Sequence, residues 1–418
     1  MNTMNGQGEC TKAVVLIVFM LVLSLGTVIA PAIPVEAATT VAYLTINENP
    51  SPVFSSLIPD QAYVIKDNVN YKLYYAENDF ASIHLAQSPD GITWTPYGTV
   101  ISGEGYHADV KYYSTGFPGA NSGTNPSTLT MNYRMWYGEL YSHSIGGWKY
   151  AESPDGVNWY NRIPVAQVVG GSLVFSGATG VHYGIADVIY TPGASNTGTD
   201  WTFRIYANVQ WEEGPYGGKE LVVMAFSSDG YNWTGYDPTA VGYATPVFAG
   251  TLDPSRFDCD HIGWFKVIKN SPTDWEAFYS GGKETTYQAL NGIGYATSTD
   301  GIDWTRSQTL FTTSDGVAWR SQSVWMPSVV KIGSNYQIWF LGSNNSDITS
   351  SDWIQWKVGM AILTPPAGAP PGAPTGAPVG GYIEPANRFN VLAPYVALFG
   401  VIATVAVVFA APWKKPDN

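Results

Sequence analysis

The sequence is poor in the residues on which most enzyme chemistries are built. It has two cysteines and five histidines in 418 residues, and charged side chains make up only 13%. Cys10 lies in an N-terminal apolar segment, which leaves Cys259 alone in the remainder and excludes an intrachain disulfide there. Bases are outnumbered, 20 against 33 acids, for a formal net charge of −13. Phosphate binding needs a basic face, so nucleic acid is excluded as a partner. The chain contains no Gly-x-Ser-x-Gly elbow, P-loop, dinucleotide fingerprint or His-Glu-x-x-His. Serine hydrolysis, nucleotide chemistry and zinc proteolysis therefore have no motif to stand on.

What the chain has in quantity is repetition. The phrase Ser-x-Asp-Gly-x-x-Trp occurs four times: Ser88/Asp90/Gly91/Trp94, Ser153/Asp155/Gly156/Trp159, Ser227/Asp229/Gly230/Trp233 and Ser298/Asp300/Gly301/Trp304. The copies lie roughly 70 residues apart, too long for a solenoid coil and suited to a four-stranded propeller blade with its loops. Upstream of each copy stand two strand-like runs, as in Ala62-Tyr63-Val64-Ile65 and Tyr71-Lys72-Leu73-Tyr74-Tyr75 around the turn Asp67-Asn68. A fifth hairpin, 328–332 with 336–340, has no phrase of its own and meets a Pro/Gly/Ala-rich stretch after 363. The segment 41–54 can supply its missing outer strand. The fold expected is all-β, a five-bladed β-propeller closed by an N-terminal strand. The repeated Ser, Asp and Gly read as turn builders, and the Trp as a wedge against the neighbouring blade.

Outside the propeller, assigned to 39–363, the sequence reads as targeting and tethering. Lys12 and the apolar run 13–30 predict a signal peptide over 1–37. Residues 364–386 form a stalk, and the uncharged apolar run 391–413, followed by Lys414-Lys415, predicts a C-terminal transmembrane helix. The localisation expected is the cell surface, as a monomeric single-pass membrane protein with an extracellular propeller and a short cytoplasmic tail.

Propeller topology puts the starts of the inner strands on one face with the loops between second and third strands. Four starts carry an acid: Asp60, Asp109, Asp187 and Asp260. The loops add Trp211, Glu212 and Glu213, and His107, His261 and Arg320 stand nearby. Carboxylates beside aromatic rings suit a sugar, since rings stack on C–H faces and acids hold hydroxyls or transfer protons. Asp60, Asp109, Asp187 and Glu213 are the candidate catalytic residues; His107, Trp211, Asp260, His261 and Arg320 are the candidate substrate-binding residues. An Asp at a strand start also serves as a turn or capping residue, and that alternative stays open. No metal ligands and no cofactor are expected, with a structural Ca2+ in the central tunnel left open.

The phrases above, the Ala108-Asp109 and Ala186-Asp187 strand starts, and Met326-Pro327-Ser328-Val329-Val330-Lys331 followed by Tyr336-Gln337-Ile338-Trp339-Phe340 resemble the five-bladed propellers of the arabinanase, levansucrase and invertase group, with family 43 and family 32 glycoside hydrolases. The resemblance implies an Asp in blade 1 as base or nucleophile, matched by Asp60. It implies a pKa-tuning Asp in blade 2, matched by Asp109, and a Glu opening blade 3 as general acid. Here that strand opens with Asp187, and Glu213-Gly214-Pro215 is displaced into the next hairpin. The function expected is a surface-anchored, glycan-active protein with an oligo- or polysaccharide partner: a glycoside hydrolase working through paired carboxylates, or alternatively a non-catalytic glycan-binding or adhesion propeller.

Overall fold

All four copies of the repeated phrase fold the same way. The Ser hydroxyl accepts the Gly amide at 2.8 Å in the first three copies and 2.9 Å in the fourth. One Asp oxygen accepts the next two amides, as Asp90 does from Ile92 and Thr93 at 2.8 and 2.7 Å. The glycines adopt φ of 76°, 74°, 90° and 72°, a region that side chains with a Cβ avoid. These turns join the third and fourth strands of their sheets, and the phrase has the turn-building role its residues predict.

The computed structural model describes residues 44–54, 60–76, 82–103, 105–117, 129–138, 148–164, 166–167, 178–211, 217–238, 245–283, 290–345 and 356–366. These lie in the compact unit Ala42–Asn418. The stretches read as signal peptide and membrane helix lie outside them. Among the described residues no helix is long and apolar enough to cross a membrane.

The described chain opens with β1 (Thr45–Glu48). Blade 1 follows as β2 (Asp60–Lys66), β3 (Tyr71–Ala76), β4 (Ile83–Ser88) and β5 (Thr95–Ile101), and blade 2 as β6 (Tyr106–Tyr112), β7 (Tyr133–Gly138), β8 (Trp148–Ser153) and β9 (Tyr160–Pro164). Blade 3 comprises β10 (Ala166–Gln167), β11 (Ala178–Tyr190), β12 (Phe203–Trp211), β13 (Lys219–Ser227), β14 (Asn232–Gly235) and β15 (Pro246–Phe248). Blade 4 is β16 (His261–Ser271), β17 (Asp274–Gly282), β18 (Leu290–Ser298) and β19 (Trp304–Thr312). Blade 5 is β20 (Ser323–Ile332), β21 (Asn335–Ser343) and β22 (Lys357–Thr364), completed by β1 paired antiparallel to β22. The first and last described strands thus share one sheet, so five blades close into a ring as the strand count requires.

The N-terminal segment then runs on along blade 5, where Phe54 bridges Val358 of β22. Phe248 at the end of blade 3 pairs with Val222 of β13, likewise a third strand. The same phrase, Pro52-Val53-Phe54 and Pro246-Val247-Phe248, therefore plays a similar part in both places. The phrase tryptophans pack across blade seams. Trp94 meets Trp339 edge-on at 6.4 Å, Trp159 meets Tyr74 at 6.0 Å and Trp304 meets Tyr206 at 6.2 Å.

Candidate functional site

Register fixes how deep each inner-strand residue sits. In every blade the inner strand carries an irregularity near its start, and the first residue paired below it is Tyr63, Asp109, Asp187, Lys266 or Ser328. Their partners on the second strands are Tyr74, Trp136, Tyr206, Phe278 and Trp339. Two positions further out on the second strands the opposite residues are Asp60, Tyr106, Gly184, Gly263 and Trp325. The four aligned acids of the sequence are therefore not one ring. Asp60 lies at the outer level, Asp109 and Asp187 lie one level deeper, and Asp260 precedes β16 altogether. A bulge shifts depth without changing the spacing visible in sequence.

The deeper level converges on a common centre. Asp109 is fully buried and Asp187 is 2% exposed. Lys111 of β6 binds both, with Nζ 3.3 Å from Asp109 Oδ1 and in contact with Asp187 Oδ1 and the Tyr63 hydroxyl. Lys266 reaches in from blade 4, 3.9 Å from Asp109 Oδ1, and sits 4.1 Å from the centroid of the Tyr63 ring. The other carboxylate oxygens accept backbone amides from the next blade: Val188 N to Asp109 Oδ2 at 2.7 Å and Val267 N to Asp187 Oδ2 at 2.6 Å. Ser328 does the same for blade 1, accepting Val64 N at 2.8 Å. Two carboxylates and two ammonium groups thus balance, and each acid ties its blade to the next.

The charges are set by this enclosure. Burial pushes the Asp187 carboxyl up, opposed by Lys111 and reinforced by Asp109. Burial drives Lys266 down to about 8, against the pull of both aspartates. Lys111 is raised because Asp109 and Asp187 outweigh its desolvation. A general acid must come within hydrogen-bond reach of its substrate. In this arrangement Asp109 and Asp187 present no accessible oxygen, and their geometry is that of interblade staples.

Above this plug the mouth is aromatic. The His107 ring lies edge-on to Trp264 at 6.2 Å, Trp264 edge-on to Trp325 at 4.7 Å, and Trp325 against Trp356 at 4.8 Å. Blades 2, 4 and 5 so meet across the axis. His107, Trp264 and Met326 hold φ of 55°, 44° and 52°, uncommon for residues with a side chain, each just above the deeper ring level of its blade.

The remaining candidates separate. Asp260 is paired with Lys219 and accepts from Cys259 Sγ at 3.4 Å; burial would raise its carboxyl, but these bonds lower it. His261 Nδ1 stands 3.8 Å from Glu220 Oε2 at the seam of blades 3 and 4. Arg320 is buried, and its guanidinium holds Glu48 through two bonds of 2.8 Å, Asp315 at 3.2 Å and the Thr312 carbonyl at 2.7 Å. It clamps the closing strand β1, with no donor left for a ligand. Trp211 ends β12 opposite Lys219, and Asp60 opens β2 opposite Ala76; their side chains, and Glu213 altogether, lie outside the described residues. The Cys259 thiol is buried and pushed up to about 11 by burial and Asp260, a packed and unreactive group.

Sequence reasoning missed Tyr63, Lys111, Lys266, Lys219, Glu220 and Trp264. A signal existed for two of them: Lys111 and Lys266 follow apolar residues inside inner strands, and a lysine buried there needs an acid. Among the described residues no cluster of His, Cys, Asp and Glu is arranged to hold a metal ion.

Solved structures share this architecture. BT0996, solved as an RGII complex, superposes with a TM-score of 0.52 at 15% identity, covering 80% of this chain and 96% of its own. A structure described as a glycoside hydrolase gives 0.51 at 14% identity, covering 82% and 96%. The fold is that of the five-bladed glycoside hydrolase propellers. The catalytic domain of a Coprinopsis cinerea GH62 alpha-L-arabinofuranosidase gives 0.50 at 11% identity, covering 77% and 98%. No family model and no curated protein matches the sequence.

Proposed function

We propose that this five-bladed glycoside hydrolase-like propeller recognises glycans at its mouth without hydrolysing them. The observation that carries the reading is the pairing of an aromatic mouth, where the half-buried rings of His107 and Trp264 stand over the buried Trp325, with a deeper acid level already held by lysines and backbone amides. Rings supply stacking faces for a sugar, while hydrolysis needs two carboxyls facing one bond. At the outer level the register places a single acid, Asp60. The protein acts at the cell surface, held by a helix over 391–413 beyond the Pro/Gly/Ala stalk.

A second reading, hydrolysis, is favoured by the fold shared with glycoside hydrolases and would use Asp60 as base with Glu213 as acid. Incubation with a panel of polysaccharides and aryl glycosides separates the two. Retention on a glycan without release of reducing ends is expected, with retention weakened by Trp264→Leu. Turnover that disappears in Asp60→Asn would overturn the recognition reading in favour of the hydrolase.

A further inference from the structure

We propose that a separate cavity on the mouth face of blade 4 binds the carboxylate-bearing residue of an acidic glycan. It rests on the glycan reading for the class of ligand and on its own geometry for the charge. The cavity, of about 360 Å³, lies at the outer edge of the blade, between the loop leading into β16 and the ends of β17, β18 and β19. That volume falls in the range of small-molecule sites.

Its lining is cationic in a chain that carries a net charge of −13. Arg256 and Lys283 line it, and among the described lining residues there is no carboxylate. Lys283 lies exposed at the rim, and its ammonium forms no ion pair among the described residues. Arg256 spends Nε and Nη2 on Asp258, at 2.9 and 3.3 Å, which leaves Nη1. Asp258 in turn also accepts Arg306 Nε at 2.8 Å and the Tyr279 hydroxyl at 2.9 Å, so its charge is answered twice. Asp253, the acid on the same loop, is turned to Ser255, whose amide and hydroxyl it accepts at 2.9 and 2.7 Å.

The neutral part of the lining suits a sugar ring. Phe257, its ring stacked on Tyr279 at 6.1 Å, lines the cavity together with Thr309 and Thr313. Gly281 and Gly292 make room for that ring, since a Cβ on either would come within 2.8 and 2.9 Å of it. An aromatic residue, threonines and two cations match a uronate residue: C–H face, hydroxyls and carboxylate.

The test is calorimetric titration of the full chain with trigalacturonate and with its fully methyl-esterified form at low salt. The acid form is expected to bind about ten-fold tighter, and Lys283→Gln with Thr309→Val to bring the two ligands to near parity. A preference that survives these substitutions overturns the site, as does equal binding of both trimers to the wild type, which leaves the mouth reading standing. Failure of the acid trimer to bind also overturns it. An acid preference that depends on Lys283 while the ester binds nowhere supports the cavity and removes the mouth.

Discussion

Trp339 donates its indole N–H to the carbonyl of Gly91 at 2.8 Å, across 248 positions of sequence. It is one instance of a rule. Tyr74 reaches Gly156 at 2.8 Å, Trp136 reaches Gly230 at 2.5 Å and Tyr206 reaches Gly301 at 2.7 Å. In four of the five blades the second strand thus reads the turn glycine of the next blade. The fifth equivalent residue is Phe278, which has no donor and faces blade 5, where the phrase does not occur.

From this follows a glycine prediction. A Cβ on Gly91 would stand 2.6 Å from the Trp339 ring at a φ of 76°. Gly193 has a similar φ of 77° and open space. Gly193→Ala is expected to cost about 1 kcal/mol through backbone strain alone, and Gly91→Ala about 3 kcal/mol. Urea unfolding midpoints of the two variants check the difference, and equal losses would contradict a tight glycine–indole contact.

The donors themselves can be exchanged. Trp339→Phe leaves the Gly91 carbonyl without its partner in a buried seam and should cost about 2 kcal/mol or more, including lost packing. Phe278→Tyr is expected to destabilise as well, because the added hydroxyl enters a fully buried site with no turn carbonyl to receive it. Gain of stability in Phe278→Tyr, measured by thermal unfolding, would show that blade 5 offers an acceptor after all.

The central plug predicts an alkaline rise in stability. Lys266 sits near 8 in the folded protein, below the ordinary lysine value near which it titrates once unfolded. Between about pH 8 and 10 the unfolded chain binds the additional proton, so stability increases with pH, by up to about 3 kcal/mol. Above about 10 the trend reverses, since Tyr63 is raised by burial and by Asp109 and Asp187 and holds its proton longer when folded. The profile of Lys266→Met should lack the rise; an unchanged profile would mean that Lys266 titrates normally.

At the acid end Asp67 is informative. Burial would raise its carboxyl, but Lys72, the amides of Asn70 and Val69 and the Tyr133 hydroxyl lower it to about 2. A folded value below the unfolded one gives stability that is present above about pH 4 and lost as the pH falls toward 2. Asp67→Asn should flatten this part of the acid unfolding curve and lower stability at pH 7.

Much of the architecture was legible because its determinants are local. The turn chemistry of Ser88, Asp90 and Gly91 needs only residues 88–93, and the aromatic strand pairs alternate within a few positions. The closing strand was legible from an arithmetic of strands: blade 5 lacked one, and 41–54 had no other sheet. The candidate site was less so. Asp60, Asp109 and Asp187 look equivalent when strand starts are aligned, yet a bulge separates the depth of Asp60 from that of the other two, and the partners that Lys111 and Lys266 find on other blades, Asp187 and Asp109, lie 76 and 157 positions away.

By itself, then, the sequence determined that the chain repeats, that each repeat is a sheet with a rigid turn, and that the ends must meet, since these follow from short-range hydrogen bonding and from unpaired strand edges. Only the tertiary structure decided what the inner acids do. Whether a carboxylate is free to act depends on which charges and amides other blades bring within about 4 Å of it. Asp109 meets Lys111, Lys266 and the amide of Val188 there, the last two more than 70 residues away along the chain.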